Sequence, residues 1–436
     1  MNYPLLLPPL ARLIPVKSRQ RRMLPEPRDK SFPLKTFISR QDTGRLVSGS
    51  VLQGKEGMMH NPLLVIKSLG QSIWLDYIER GMLASGELAH LIKRDGLVGI
   101  TSNPAIFEKA ITGHEDYEAD IAALARHARN AAEIYEPIVL DDISHAADLL
   151  LPVHEQTSGR DGFASIEVSP HLAYDTDKTV KEAVRLWEKL HRPNIMIKVP
   201  GTIQGLPAVR QLIAKGINVN VTLLFGLVRY REVLQAWLSG LEDRAKAGLR
   251  LGSVASVASF FLSRIDALVD KRLDALVHSG DSSAASLRGT AAIAHARLAY
   301  RMYKETQGSE RWRRLATRGA QPQRLLWAST GTKDPAYSDV KYVEPLIGPD
   351  TVNTLPPETL NAYRKHGDPA LRLEQDLAQA TEVTAGLAML GIDLETVAQQ
   401  LEEEGVKKFV VPFDKLFASL EQRRRKLVPV SKDVSL

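Results

Sequence analysis

Residues 194–202 read NIMIKVPGT, a run that is apolar from Ile195 to Val199 except for one lysine, Lys198. Such a run has the length and composition of a buried strand, and a strand alternates its side chains between two faces. Ile195, Ile197 and Val199 then share one face, and Met196 and Lys198 the other. The wholly apolar face belongs against helices, which turns Lys198 toward the inside of a sheet. A buried ammonium without a partner tends to give up its proton, and a neutral amine is a nucleophile toward carbonyl groups. A strand-end lysine whose flexible stem carries the charge out to water is the alternative from these residues alone.

Neighbouring segments decide what kind of sheet this is. Short β-like runs recur at Ser72–Ile78, Gly96–Ser102, Phe163–Ser169, Asn194–Pro200, Ile217–Phe225, Gly252–Phe261, Arg324–Thr330 and Asp350–Leu355. Amphipathic helical patterns separate them, such as Lys178–Leu190 and Gly205–Lys215. Eight strands with helical crossovers predict an α/β fold, a (β/α)8 TIM barrel. A doubly wound open sheet is the alternative, but no glycine-rich dinucleotide loop follows the first strand. Residues 103–162 and 262–322 are long connections, expected to hold extra helices over Glu115–Arg129, Asp142–Leu151 and Ala284–Glu305. Leu373 to about Arg425 is helical again, and its acidic run QQLEEEG reads as a solvated face.

Parity applied to the other strands gathers polar groups on the inner face. Asp76 falls with Trp74, and Glu167 with Phe163 and Ser165. Asn218, Asn220 and Thr222 share a face, and Ser259 and Ser329 come late in their strands. In a parallel barrel these late positions meet at one mouth, where barrel enzymes carry their chemistry. A barrel without chemistry would fill that layer with aliphatic side chains, so the set favours a reactive lysine. A lysine amine attacking a ketone, with two carboxylates to move protons, suits Schiff-base chemistry on a polyol.

Composition narrows the field. The chain has 436 residues, 44% hydrophobic and 25% charged, which is ordinary for a globular protein. It contains no cysteine, which removes disulfides, thiolate metal sites and cysteine nucleophiles. The eleven histidines are scattered without ligand spacing, so neither a metal site nor a cofactor is read. No apolar run reaches the ~18 residues of a membrane span. The net charge of +6 is local: residues 1–60 carry eleven Lys/Arg against four Asp/Glu, leaving the remainder near −1. No nucleic-acid partner follows from a charge so placed. Residues 1–60 thus form a basic, Pro- and Arg-rich extension, with the barrel over 61–430. A disordered tail, a transit peptide, or sequence ahead of a start at Met58 or Met59 are the readings open for it. Its early prolines fit a leader helix poorly.

Several motifs in order give the barrel a family resemblance: SIWLDYI, GITSNPAIF, SIEVSP, IMIKVPGT, INVNVTLLF, SFFLSRID, LWASTGTKDPAYSD and GPDTVNTLP. Together they resemble the transaldolases, in the longer bacterial-type branch, from about Leu64 to about Arg425. The resemblance implies transfer of a dihydroxyacetone unit between sugar phosphates in the cytoplasm, organellar only if the extension is a transit peptide. It implies that Lys198 forms the Schiff base, that Asp76 takes the C4 hydroxyl proton, and that Glu167 and Thr222 hold a catalytic water. It further implies that Asn103, Asn220 and Ser259 bind the substrate's hydroxyls, and that Arg264 binds its phosphate with help from Ser329. Shorter members have an arginine where this chain has Gly331, and Lys333 is the expected substitute. The related fructose 6-phosphate aldolases tend to carry Gln and Tyr where this chain has Glu167 and Phe261, so both residues favour transfer. A lyase of that type and a catalytically silent sugar-phosphate-binding barrel are the alternatives. Oligomeric state is not legible.

Overall fold

The computed structural model describes residues 61–427. The expected disordered extension over residues 1–60 lies outside the described residues. Eight parallel strands close into a barrel in chain order: β1 Gln71–Leu75, β2 Gly99–Thr101, β3 Phe163–Glu167, β4 Ile195–Pro200, β5 Val219–Leu224, β6 Ser256–Phe261, β7 Arg324–Ala328 and β8 Thr351–Leu355. Closure is made by β1 and β8, paired from Gln71↔Thr351 through Leu75↔Leu355. Each of the eight runs read from the sequence coincides with one strand, β1 beginning one residue earlier, at Gln71. Their ends differ where turn chemistry intervenes. Gly96 adopts φ +68° as the cap of the helix Glu87–Asp95, so β2 starts only at Gly99.

The connecting helices follow their apolar spacing. Thr176–Leu190 buries Thr179, Ala183, Leu186 and Leu190, one stripe of a 3.6-residue period. The side chain of Asp175 caps its first turn by accepting from the Lys178 amide at 3.0 Å. Gly205–Lys215 ends at Gly216, whose φ of +89° suits glycine. Gly205 itself has no room for a side chain, since a Cβ would lie 1.9 Å from the Pro200 carbonyl oxygen. That close approach fixes the loop that follows the Lys198 strand.

The long connections differ from their sequence reading. Glu115–Arg129 divides into a short 3-10 turn, Glu115–Tyr117, and a helix, Glu118–Ala125. Asp142–Leu151 is the middle of a longer helix, Ala132–Gln156, which runs through Pro137 and Pro152. Ile138, Val139, Ile143, Ala146, Ala147 and Leu150 are all buried along it. Burial of that stripe outweighs the helix-breaking tendency of proline near either end. Ala284–Glu305 likewise divides into a 3-10 turn, Ser282–Leu287, and a helix, Ala291–Gly308. The C-terminal region forms Leu377–Met389 and a long helix, Leu394–Leu427. The QQLEEEG run is only partly solvated: Glu402 pairs with Arg229 at 3.0 Å, and Glu404 with Lys408 at 3.3 Å. Among the described residues no helix is long and apolar enough to cross a membrane.

Candidate active site

Residues at the carboxyl ends of the strands open into a cavity of about 280 Å³. Lys198 lies at its base, 4% exposed. The outward face of its strand is sealed, with Ile195, Ile197 and Val199 fully buried. The inward turn expected from parity therefore holds. Lys198 is not isolated: its Nζ donates to the Ser102 carbonyl at 2.9 Å and stands 3.4 Å from Glu167 Oε2. The register explains this proximity, because Lys198 pairs with Glu167 on one side and Asn220 on the other.

Asp76, Asn103, Thr222 and Ser259 line the same cavity, as do Arg264, Ser329 and Lys333. Glu167 and Asn220 stand behind this lining. Asn220 accepts from the Ser259 hydroxyl at 2.6 Å and so sets its direction. Asn103 caps the helix Pro104–Gly113: its Oδ1 accepts from the amides of Ala105 and Ile106, which turns the amide nitrogen away from the helix. Both carboxylate oxygens of Glu167 and the hydroxyl of Thr222 are buried and find no hydrogen-bond partner among the described residues. Groups so placed are suited to holding a water molecule.

The electrostatics are those of a dry site. Burial raises the Asp76 carboxyl above the usual carboxylate range, against the pull of Lys198, Lys333 and Arg264. Burial also raises Glu167, with Lys198 opposing and Asp76 adding to the rise. Arg264 is the second residue of the helix Ser263–His278; its Nη1 is buried without a hydrogen-bond partner among the described residues. Phe261 and Phe409 flank its guanidinium at 5.5 and 5.9 Å. A desolvated cation of this kind is a ready site for an anion. Two of the six non-glycine residues with positive φ among the described residues fall here. Ser329 adopts φ +55°, with its hydroxyl 2.9 Å from that of Ser263. Leu223, next to Thr222, adopts φ +61° where the β5–β6 register shifts. Such conformations persist at sites whose side chains must be aimed.

Sequence reasoning missed several lining residues, of which Thr101, Lys109, Lys408 and Phe409 bear most on the chemistry. Thr101 has a buried hydroxyl without a partner and lies in register with Ser165. Its inward parity was available, two positions before Asn103. Lys109, Lys408 and Phe409 also line the cavity. The last two come from the long C-terminal helix, and nothing in its period says that it crosses the barrel mouth.

A buried amine with carboxylates and a desolvated guanidinium around it, at the mouth of a (β/α)8 barrel, is the lining of an enzyme rather than of an inert scaffold. The profile of one family, Transaldolase/Fructose-6-phosphate aldolase, matches residues 73–420, and the chain belongs to that family. It is 48% identical to a transaldolase of Trichodesmium erythraeum over 380 residues, 86% of this chain and all of that protein. It is similarly 48% identical to transaldolase 2 of a Nostoc species over 381 residues, again 86% and 100% of the two chains. Transaldolase 1 of Streptomyces avermitilis is 48% identical over 352 residues, 80% of this chain and 92% of the relative.

Proposed function

We propose that this enzyme moves a dihydroxyacetone unit from a ketose phosphate to an aldose phosphate through a Schiff base on Lys198. Sedoheptulose 7-phosphate or fructose 6-phosphate is the donor; glyceraldehyde 3-phosphate or erythrose 4-phosphate is the acceptor. The observation that carries the reading is the Lys198 amine, buried at the base of the cavity with Glu167 3.4 Å away. Its amine attacks the donor C2 carbonyl, and water held by Glu167 and Thr222 relays protons as the carbinolamine loses water. Asp76 then takes the C4 hydroxyl proton, C3–C4 breaks, and the electron pair passes into the iminium to give an enamine. The aldose leaves and the enamine adds to the acceptor aldehyde, whose oxygen takes back the proton held by Asp76; water then hydrolyses the new iminium, freeing the product ketose and the Lys198 amine.

Asn103, Asn220 and Ser259 orient the dihydroxyacetone part in this scheme. Arg264 and Ser329 hold the phosphate, with Lys333 beside them. The position of Lys333 supports that role: a side-chain carbon placed on Gly331 would lie 3.9 Å from the Lys333 ammonium. The loop lysine thus reaches toward the place of the missing arginine. Glu167 and Phe261 support transfer over simple cleavage.

We place the reaction in the non-oxidative pentose phosphate pathway and in the cytoplasm. Borohydride trapping with fructose 6-phosphate, followed by peptide mass mapping, tests the core of the scheme. A dihydroxyacetone-derived adduct on Lys198 is the expected result; an adduct confined to another lysine would overturn it. Parallel assays with and without acceptor separate transfer from release of free dihydroxyacetone. A chain beginning at Met59 is expected to stay active.

A further inference from the structure

The cavity carries more cations than the clamp just described employs. Lys109 and Lys408 line it beside Arg264 and Lys333. Lys408 lies on the long C-terminal helix, its side chain 54% exposed and its ammonium 3.3 Å from Glu404 Oε2, one turn earlier. The next residue, Phe409, is buried, and its ring faces the Arg264 guanidinium at 5.9 Å. One helix therefore brings a lysine, its carboxylate partner and an aromatic ring to the corner where Arg264 keeps a buried nitrogen unpartnered. Glu404 acts on that corner too, since it is among the carboxylates whose charge bears on Arg264, after Asp76.

We propose that Lys408 is a ligand of the substrate phosphate and that Glu404 is its resting counter-ion. A phosphate entering beside Arg264 draws Lys408 away from Glu404, so the C-terminal helix supplies a cation that Gly331 leaves out of the loop after β7. The exchange is favourable because a half-exposed pair one helical turn apart is weak. A phosphate shared with a desolvated guanidinium forms stronger, charge-assisted bonds. The inference rests on the proposed function for the identity of the substrate, but its phosphate chemistry can be probed separately.

Two probes test it on the full chain. The first is borohydride trapping as a function of donor concentration, with fructose 6-phosphate and with unphosphorylated fructose. Loss of a hydrogen bond to a charged group predicts that Lys408→Ala raises the half-saturating fructose 6-phosphate concentration about tenfold. That for fructose should stay nearly constant, and Lys408→Arg should restore most of the loss. An equal effect on both donors, or none on either, overturns the assignment. The second probe is calorimetric titration with inorganic phosphate. Binding should weaken in Lys408→Ala and tighten in Glu404→Gln, where the lysine is released. Unchanged phosphate binding in both variants overturns the exchange. Trapping that fails in the unsubstituted protein while these phosphate shifts appear would strike the Schiff-base scheme and leave Lys408 in place.

Discussion

Lys198 Nζ and Glu167 Oε2 lie 3.4 Å apart on neighbouring strands, with both side chains almost wholly buried. The carboxylate is close enough to serve the amine but has no hydrogen-bond partner of its own among the described residues. Glu167→Gln keeps the shape and removes the proton relay, so Schiff-base formation should slow by about 10²–10⁴-fold, the usual range for general acid–base catalysis. The adduct should still accumulate on long incubation. Single-turnover trapping measures this, and an unchanged rate would remove Glu167 from proton transfer.

Asp76 is assigned a later step, so its variants should fail differently. Asp76→Ala should form the iminium with fructose 6-phosphate at a rate near that of the unsubstituted protein yet release no glyceraldehyde 3-phosphate. A coupled assay for the aldose, run beside trapping, separates the two steps. Normal turnover by this variant would exclude the role.

The pH profile bears on the same pair. Burial raises both Asp76 and Glu167, so each stays protonated to a higher pH than an ordinary carboxyl at ~4. Asp76 must be ionised to take a proton, so activity should fall as pH drops through its raised pKa. The acidic limb of kcat/KM should therefore lie above the range in which an ordinary carboxyl titrates. A profile flat down to pH 4 would contradict it.

Much of this site was legible because a strand's period of two is a strong local signal. Parity alone turned Lys198, Asp76 and Thr222 inward, and they line one cavity. It also turned Glu167 inward, against Lys198. The C-terminal helix was legible as a helix, but its place beside the cavity was not. A 3.6-residue period marks which face is apolar, Leu394, Val397, Leu401 and Phe409 here, but not what that face packs against. Lys408 reads in sequence as one more exposed lysine, and only the position of the helix over the mouth gives it a role. The run through Pro137 and Pro152 was hidden for a related reason: proline's cost is local, and the burial that offsets it is tertiary.

The far end of the barrel makes a prediction about stability rather than chemistry. Arg324, the first residue of β7, donates to Asp161 Oδ1 at 2.8 Å, to Ser72 Oγ at 2.7 Å and to the Arg160 carbonyl at 2.6 Å. Arg324, Asp161 and Ser72 are buried at the amino ends of the strands, opposite the mouth. Arg324→Met should destabilise the fold by about 3–5 kcal/mol, because it strands the Asp161 charge. Replacing Asp161 as well should recover a large part of the loss. Urea unfolding measures both, and kcat/KM of the folded protein should change little in either.

His295 offers a separate pH test. It is buried on the helix Ala291–Gly308, edge-on to the Phe260 ring at 5.7 Å, and its Nδ1 has no hydrogen-bond partner. Burial lowers its pKa to about 4, whereas an unfolded chain titrates histidine near 6.5. The folded state therefore holds the neutral ring and refuses a proton that the unfolded state accepts. Its contribution is fully present above pH ~6.5 and is lost, at about 1.4 kcal/mol per pH unit, as pH falls toward the folded value. His295→Leu cannot titrate, so it should lose less stability than the unsubstituted protein between pH 7.5 and 4.5. The difference should reach about 2–3 kcal/mol at the acid end. Other groups shift stability over that range in both proteins alike and cancel in the comparison. Urea midpoints measured at several pH values give the result, and a difference that does not vary with pH would show that His295 takes up its proton within the fold.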